Sequence, residues 1–189
     1  MNGQPLPWVH GYPLRLVVPG WVGSASTKWL HTLTVLDAPF KGTYMDSSYR
    51  VPRTPVEPGT KMPPDSVSAE AWPVKSMITS PAPNARARGN DPIVVRGRAW
   101  VGEGSVDRVE ISSDEGKTWQ RAQLAAASPL HPYAWRTFTY EYKPRGPGFV
   151  TFVSRAWDDR GNAQPAVSSW NPLGYFWNGW HRVGVVVDA

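Results

Sequence analysis

The chain of 189 residues contains no cysteine. That absence excludes disulfides and every metal site that depends on a thiolate, because neither bond forms without the sulfur. No run of about eighteen apolar residues occurs, so the sequence carries no signal for a membrane-spanning helix. Its first residues are polar and proline-containing, where a signal peptide would place a basic stretch followed by an apolar one, and no signal peptide is visible. Four histidines, His10, His31, His131 and His181, lie far apart without metal-ligand spacing, so no metal site is expected from them. Asp158 and Asp159 are adjacent, would point to opposite faces of a strand, and read as turn residues instead of a paired acid and base. Ser47-Ser48 and Ser168-Ser169 lack the context of a nucleophile elbow. Acidic residues are outnumbered, 15 against 20 Lys and Arg, for a formal charge of +5. The basic residues are nevertheless scattered, with local groups at Arg50 and Arg53 and at Arg86 and Arg88, and form no dense stripe of the kind that tracks nucleic-acid phosphates. The surplus suits attraction of an anionic small molecule or an acidic protein partner.

What is present points to a folded, strand-rich chain. Hydrophobic residues make up 41% and aromatics 12%, enough for a real core, and 20 prolines with 17 glycines imply many turns and few long helices. The eleven tryptophans sit mostly at alternating or turn-flanking positions in apolar runs and read as core. Residues 14–18 and 29–36 look like short strands. Residues 51–66 carry Pro52, Pro55, Pro58, Pro63 and Pro64 and read as an extended connector, free or wrapped on the surface, because proline denies helix and sheet hydrogen bonds alike. From Trp72 onwards strands recur at residues 74–79, 93–101, 106–112, 135–142, 148–157 and 183–187. In the second of these Ile93, Val95, Gly97, Ala99 and Val101 share one face, with Arg96 and Arg98 on the other, the mark of a half-buried strand. A turn at 113–119 uses Gly116 for a positive backbone angle and Asp114 for an Asx-type bond, and a second turn falls at 158–162. Short strands at this spacing, with no helix pattern between them, give a mainly β fold: an antiparallel sandwich of immunoglobulin type preceded by a smaller segment.

That segment holds the densest chemistry in the chain, His10-Gly-Tyr-Pro-Leu-Arg-Leu followed by Pro19-Gly-Trp-Val-Gly-Ser-Ala-Ser-Thr-Lys28-Trp. His10, Arg15 and Lys28 offer charged or polar donors, Ser26 and Thr27 add hydroxyls, and Gly11, Gly20 and Gly23 allow close backbone approach, a set suited to a phosphate-bearing cofactor. The residue types alone leave a second reading open, in which the cations are solvated strand residues and the histidine belongs to a turn.

The span closely resembles the molybdopterin-binding segment of the sulfite oxidase family. Three further stretches resemble that family's dimerisation domain: Val106-Asp-Arg-Val-Glu-Ile-Ser-Ser-Asp-Glu-Gly-Lys-Thr-Trp119, Arg155-Ala-Trp-Asp-Asp-Arg-Gly-Asn-Ala-Gln-Pro165, and Trp170-Asn171 through Trp180-His-Arg-Val183. The resemblance implies residues 1–66 as the end of a molybdopterin-binding oxidoreductase domain with a Pro-rich connector, and residues 67–189 as an immunoglobulin-like dimerisation domain. It implies Mo-molybdopterin as cofactor, held by His10, Arg15, Ser26, Thr27 and Lys28, and Tyr49 as the catalytic tyrosine whose hydroxyl meets the oxyanion. It implies oxidation of a sulfur compound by oxygen-atom transfer.

The chain departs from the family pattern in three respects. The cysteine that ligates molybdenum and an arginine-rich loop are missing, so the expectation is a fragment, a truncated product or one half of a split enzyme, inactive alone and completed by an upstream molybdenum-domain polypeptide. Leu173 stands where the family carries an anion-binding arginine, so either the substrate differs or Arg50 or Arg182 supplies the charge. No Cys-x-x-Cys-His motif exists, so no haem is expected in this chain, and a cytochrome c acceptor would bring its own. A homodimer is expected from the family and from the aromatic surface of Trp72, Trp100, Trp135 and Trp157. Nucleic acid and membrane partners are not expected. An intact exported relative would be periplasmic. Two other readings stay open: a non-catalytic β-sandwich dimerisation or interaction module, and a sulfane dehydrogenase-like subunit.

Overall fold

A computed structural model describes residues 3–89 and 91–189. Contacts divide the chain into two units, Met1–Trp72 with Ser169–Trp177, and Pro73–Ser168 with Asn178–Ala189.

The first unit is mostly irregular backbone. It contains a five-residue helix, α1 (Thr43–Ser47), and two short strands, β1 (Arg50–Pro52) and β2 (Ser66–Ser68), paired antiparallel with Val51 opposite Val67. The proline-rich segment is therefore no free connector: both its ends are tied into this small sheet, with Pro52 admitted at the last strand position, where a missing N–H costs least. Strands expected at 14–18 and 29–36 do not form. The bonds from Leu16 N–H to the Thr27 carbonyl (2.8 Å) and from Leu30 N–H to the Leu14 carbonyl (2.8 Å) bring two chain segments side by side. A ladder needs continued pairing and a covered face, and here Leu33 and Val35 are 74% and 94% exposed.

The second unit follows the alternation in the sequence. Its nine strands are β3 (Lys75–Ser80), β4 (Ala85–Ala87), β5 (Ile93–Trp100), β6 (Val106–Ser112), β7 (Gln120–Arg121), β8 (Gln123–Leu124), β9 (Arg136–Tyr142), β10 (Gly148–Asp158) and β11 (His181–Val187). They form one sheet in the order β3-β5-β9-β8 and another in the order β4-β11-β10-β6-β7. Pairing is antiparallel except for β4 on β11. Lettered along the chain, these are the ABED and GFC sheets of an immunoglobulin-type sandwich. One core joins them: Ile93, Val95, Ala99 and Phe138 from the first sheet meet Val109, Ile111, Phe152 and Val185 from the second. Gly97 is required there, because a Cβ would stand 2.1 Å from the Phe138 ring and 2.3 Å from the Met77 carbonyl oxygen.

None of the eleven tryptophans lies in that core. The indoles are too large for the narrow space between sheets filled by Val, Ile and Phe, and they work at the surface. Trp100 stacks on Trp135 (4.5 Å, 15°), Trp119 meets Trp180 edge-on (4.8 Å), and the Arg155 guanidinium covers Trp119 at 3.9 Å. Both anticipated turns form. Asp114 accepts from Ser112 Oγ (2.6 Å), Thr118 N–H (2.9 Å) and Thr118 Oγ1 (2.6 Å), and these bonds hold its carboxyl down to about 2. Asp158 accepts from the Arg160 and Asn162 N–H groups, while Asp159 accepts from Ser105, so each aspartate braces a loop.

His181 has a structural task. Ile78 N–H donates to its Nδ1 at 3.2 Å, which requires that nitrogen to be unprotonated, and burial followed by the nearby charge of Lys75 depresses its pKa below the usual histidine value. The unfolded chain takes up the proton first on acidification, so this contribution to stability is complete above about pH 6.5 and is lost as pH falls through the depressed folded value. Urea unfolding at about pH 7.5 and 5.5 is expected to show a loss of stability that shrinks in His181→Gln.

Candidate functional site

The anion-binding residues of the first unit are assembled on a tight backbone frame. A 3-10 turn, Trp8–His10, ends at Gly11, whose φ of 108° and N–H bond to the Trp8 carbonyl (2.9 Å) reverse the chain. Only glycine fits, because a Cβ there would lie 3.0 Å from Lys28 Cβ and 3.1 Å from Arg15 Cβ. The approach Gly11 permits is thus to the protein's own cations. The chain then runs through Arg15, turns at Gly20 (φ 79°) and at the 3-10 segment Gly23–Ala25, and returns beside itself at Thr27.

Arg15 fastens this frame. One terminal nitrogen donates to the His10 carbonyl and the other to the Ser26 carbonyl, both at 3.2 Å. Its Nε is buried and has no hydrogen-bond partner among the described residues. Lys28 donates to the Val9 carbonyl (3.0 Å) and lies over the Trp29 ring at 4.8 Å, with ammonium hydrogens to spare. Ser26 Oγ accepts the Val18 N–H (3.2 Å), leaving its own hydrogen for another acceptor. Arg15, Ser26 and Lys28 are therefore brought together; His10 and Thr27 join through their backbone carbonyls, and both residues are exposed. Sequence reasoning missed Trp29, which adopts φ 52°, donates from Nε1 to the Trp8 carbonyl (3.0 Å) and lies 6.1 Å from the Trp8 ring. Its place directly after Lys28 was the available signal.

Tyr49 also sits in an unusual conformation, φ 51°, with its ring 6.2 Å from Tyr44 and 5.6 Å from Tyr175. It lines a cleft of about 290 Å³ together with Trp21, Ala25, Tyr44, Met45 and Glu70. Ser24 and Ala25, just before Ser26, belong to the same wall. Among the described residues no Arg, Lys or His lines it, and Glu70 contributes a carboxylate. Tyr175 comes from the Ser169–Trp177 segment, which also carries Leu173. Asn171 shapes that segment by accepting from Leu173 N–H (2.8 Å) and donating to the Arg50 carbonyl (3.5 Å).

Arg50 does not offer itself to this cleft. Arg50 is committed, with Nε on Ser66 Oγ (2.8 Å), one terminal nitrogen on the Met45 carbonyl (2.7 Å) and the other on the Ser66 carbonyl. Arg182 belongs to the second unit, where it lies over Trp180 at 5.6 Å.

Residues 67–188 match the Mo-co oxidoreductase dimerisation domain, and residues 1–44 match the oxidoreductase molybdopterin binding domain. Mitochondrial sulfite oxidase of Homo sapiens is 36% identical over 194 residues, covering 100% of this chain and 35% of its own length. Nitrate reductase 2 (NADH) of Phaseolus vulgaris is 32% identical, covering 96% of this chain and 22% of its own length. Among solved structures, the sulfane dehydrogenase SoxCD from Paracoccus pantotrophus is similar with a TM-score of 0.78 and 33% identity, over 96% of this chain and 46% of that one. The chain thus spans 35% of the length of the sulfite oxidase it matches. Both domain matches and the identity to sulfite oxidase lead to one conclusion: this chain belongs to the sulfite oxidase family of molybdopterin oxidoreductases, matching its molybdopterin-binding domain over residues 1–44 and its dimerisation domain over residues 67–188.

Proposed function

We propose that the chain serves as the C-terminal portion of a sulfite oxidase or sulfite dehydrogenase-type molybdenum oxidoreductase, with residues 1–66 walling the cofactor site and residues 67–189 forming a homodimer contact. The observation that carries this reading is the buried, unpartnered Nε of Arg15 inside the frame closed by Gly11. A buried donor without an acceptor costs about 1–3 kcal/mol, and a phosphate or pterin oxygen placed there removes that cost. Residues and group fit each other in charge as well: Arg15 and Lys28 are cations, and His10, Ser26 and Thr27 add polar groups around the anion.

When bound, molybdopterin with its metal supplies oxygen-atom transfer to the lone pair of a reduced sulfur compound. The work of this chain is positioning. Arg15 and Lys28 hold the anionic end, Gly11 keeps both within reach, and the Tyr49 hydroxyl donates to a substrate oxygen. A polypeptide carrying the cysteine ligand completes the site, and electrons leave to a haem on a partner, with cytochrome c as acceptor. A second reading, a sulfane dehydrogenase-like subunit, is favoured by the cleft at Tyr49. With Leu173 in place of an arginine, Arg50 committed elsewhere and Glu70 in the wall, that cleft suits a sulfur atom presented without the charge of free sulfite.

Two outcomes are expected. Alone, the purified chain will neither retain stoichiometric molybdenum nor reduce an acceptor in the presence of sulfite, as metal analysis and a ferricyanide assay will show, because it has no thiolate for the metal. Supplied with a cysteine-bearing molybdenum domain, by fusion or in trans, Arg15→Gln will lower pterin retention about tenfold, in line with roughly 1.5–3 kcal/mol for a hydrogen bond to a charged group. Arg98→Gln, on an exposed strand face, will leave it unchanged. Retention is read from the fluorescence of released oxidised pterin, and equal content in the two variants at matched thermal stability would refute the clamp.

A further inference from the structure

Several arginines of the sandwich are paired with a carboxylate: Arg86 with Asp188, Arg108 with Asp107 and Glu110, Arg155 with Glu110, and Arg160 with Glu103. Arg96 and Arg98, on the outer face of β5, have no carboxylate partner among the described residues, and Arg98 is bonded to Thr137 Oγ1 at 2.9 Å. Both are exposed. They stand two residues apart on one strand, and Trp100 continues the row after two more. Along β9 the facing residues are Thr139 and Thr137, and on β3 Met77 lies opposite Arg98 and Lys75 opposite Trp100. Trp100 is stacked against Trp135, which is 57% exposed, with Lys75 Nζ 5.8 Å from the Trp100 ring. The outer face therefore presents guanidinium, guanidinium and an indole platform at a repeat of about 6.7 Å, twice the rise of a strand residue.

We propose that this face docks an extended acidic segment of a partner protein, with carboxylates at alternate positions on Arg96 and Arg98 and an apolar side chain on the Trp100–Trp135 platform. An extended peptide repeats its side chains at the spacing of the row, so two carboxylates two residues apart engage both guanidinium groups together. The flanking threonines supply hydroxyl donors to the same oxygens. A continuous polyanion fits less well, because Glu141, opposite Val94 and diagonal to Arg96, closes the basic row with a negative charge. A second copy of the chain fits less well too, since across a two-fold axis this face offers Glu141 as a carboxylate against the two guanidinium groups of Arg96 and Arg98 and leaves one unmatched.

The test uses the full chain and a fluorescent peptide with glutamates at two alternate positions followed, two residues on, by phenylalanine. Anisotropy at low salt is expected to show binding that weakens as salt is raised and disappears when the glutamates are replaced by glutamine. Arg96→Gln combined with Arg98→Gln is expected to weaken it about tenfold, while Arg86→Gln, which removes an arginine already paired, leaves it unchanged. Both sites are exposed, and a thermal melt confirms that the double variant keeps its fold. Three results would each overturn the proposal: equal binding by the double variant, displacement of the peptide by an oligothymidylate at equal concentration, or conversion of a dimer to a monomer by the double substitution in sedimentation.

Discussion

The guanidinium of Arg15 is the constraint on which the first unit's chemistry depends. This unit has little regular structure to hold it, and many of its large apolar side chains are exposed. Order between residues 8 and 30 comes instead from a few specific bonds: Arg15 to the carbonyls of His10 and Ser26, Lys28 to Val9, and Trp29 to Trp8. Each draws a cationic or aromatic side chain inward against a turn that glycine makes possible. The result is a frame whose positive groups are fixed before any ligand arrives, so little rotamer entropy remains to be lost on binding. Satisfying the frame also leaves one buried Arg15 donor over, and that is the imbalance the proposed anion would remove.

In the second unit a neutral side chain performs the corresponding task. Gln164, almost fully buried, accepts from Ser76 N–H (2.8 Å), Ser76 Oγ (2.7 Å) and Ala156 N–H (3.1 Å), and donates to the Ser76 and Gly179 carbonyls. It thereby joins β3 of one sheet to β10 of the other without placing a charge in the core. Close by, Ser168 Oγ accepts from both Asn178 N–H (2.7 Å) and Gly179 N–H (2.6 Å). These bonds pin the neck of the Ser169–Trp177 excursion, the segment that carries Leu173 and Tyr175.

The sandwich was legible in the sequence because its strands are half buried. Alternation such as Ile93, Val95, Gly97, Ala99 against Arg96, Arg98 appears wherever one face meets a core and the other meets water. The short edge strands β4, β7 and β8 were not legible, since two or three residues carry no period. Neither were the tryptophans: their apolar neighbours suggested core, whereas guanidinium groups and other indoles cover them at the surface. Residues 14–18 and 29–36 were apolar enough for strands but have no sheet to join. Of the candidate site, His10, Arg15, Ser26 and Lys28 were readable as a motif. The positive φ of Tyr49 and its contact with Tyr175 were not, because they depend on a segment about 125 residues further along the chain that returns only through tertiary packing.

The account rests most directly on the claim that the Arg15 frame receives an anion. The decisive measurement is a proton–nitrogen correlation spectrum of the arginine Nε–H groups in the full chain, titrated with inorganic phosphate. The Arg15 Nε–H signal, assigned with Arg15→Gln, is predicted to move downfield and saturate while that of Arg108, stacked over Trp157, stays in place. A stationary Arg15 signal, or one that shifts no more than Arg108 at every phosphate concentration, would contradict the account.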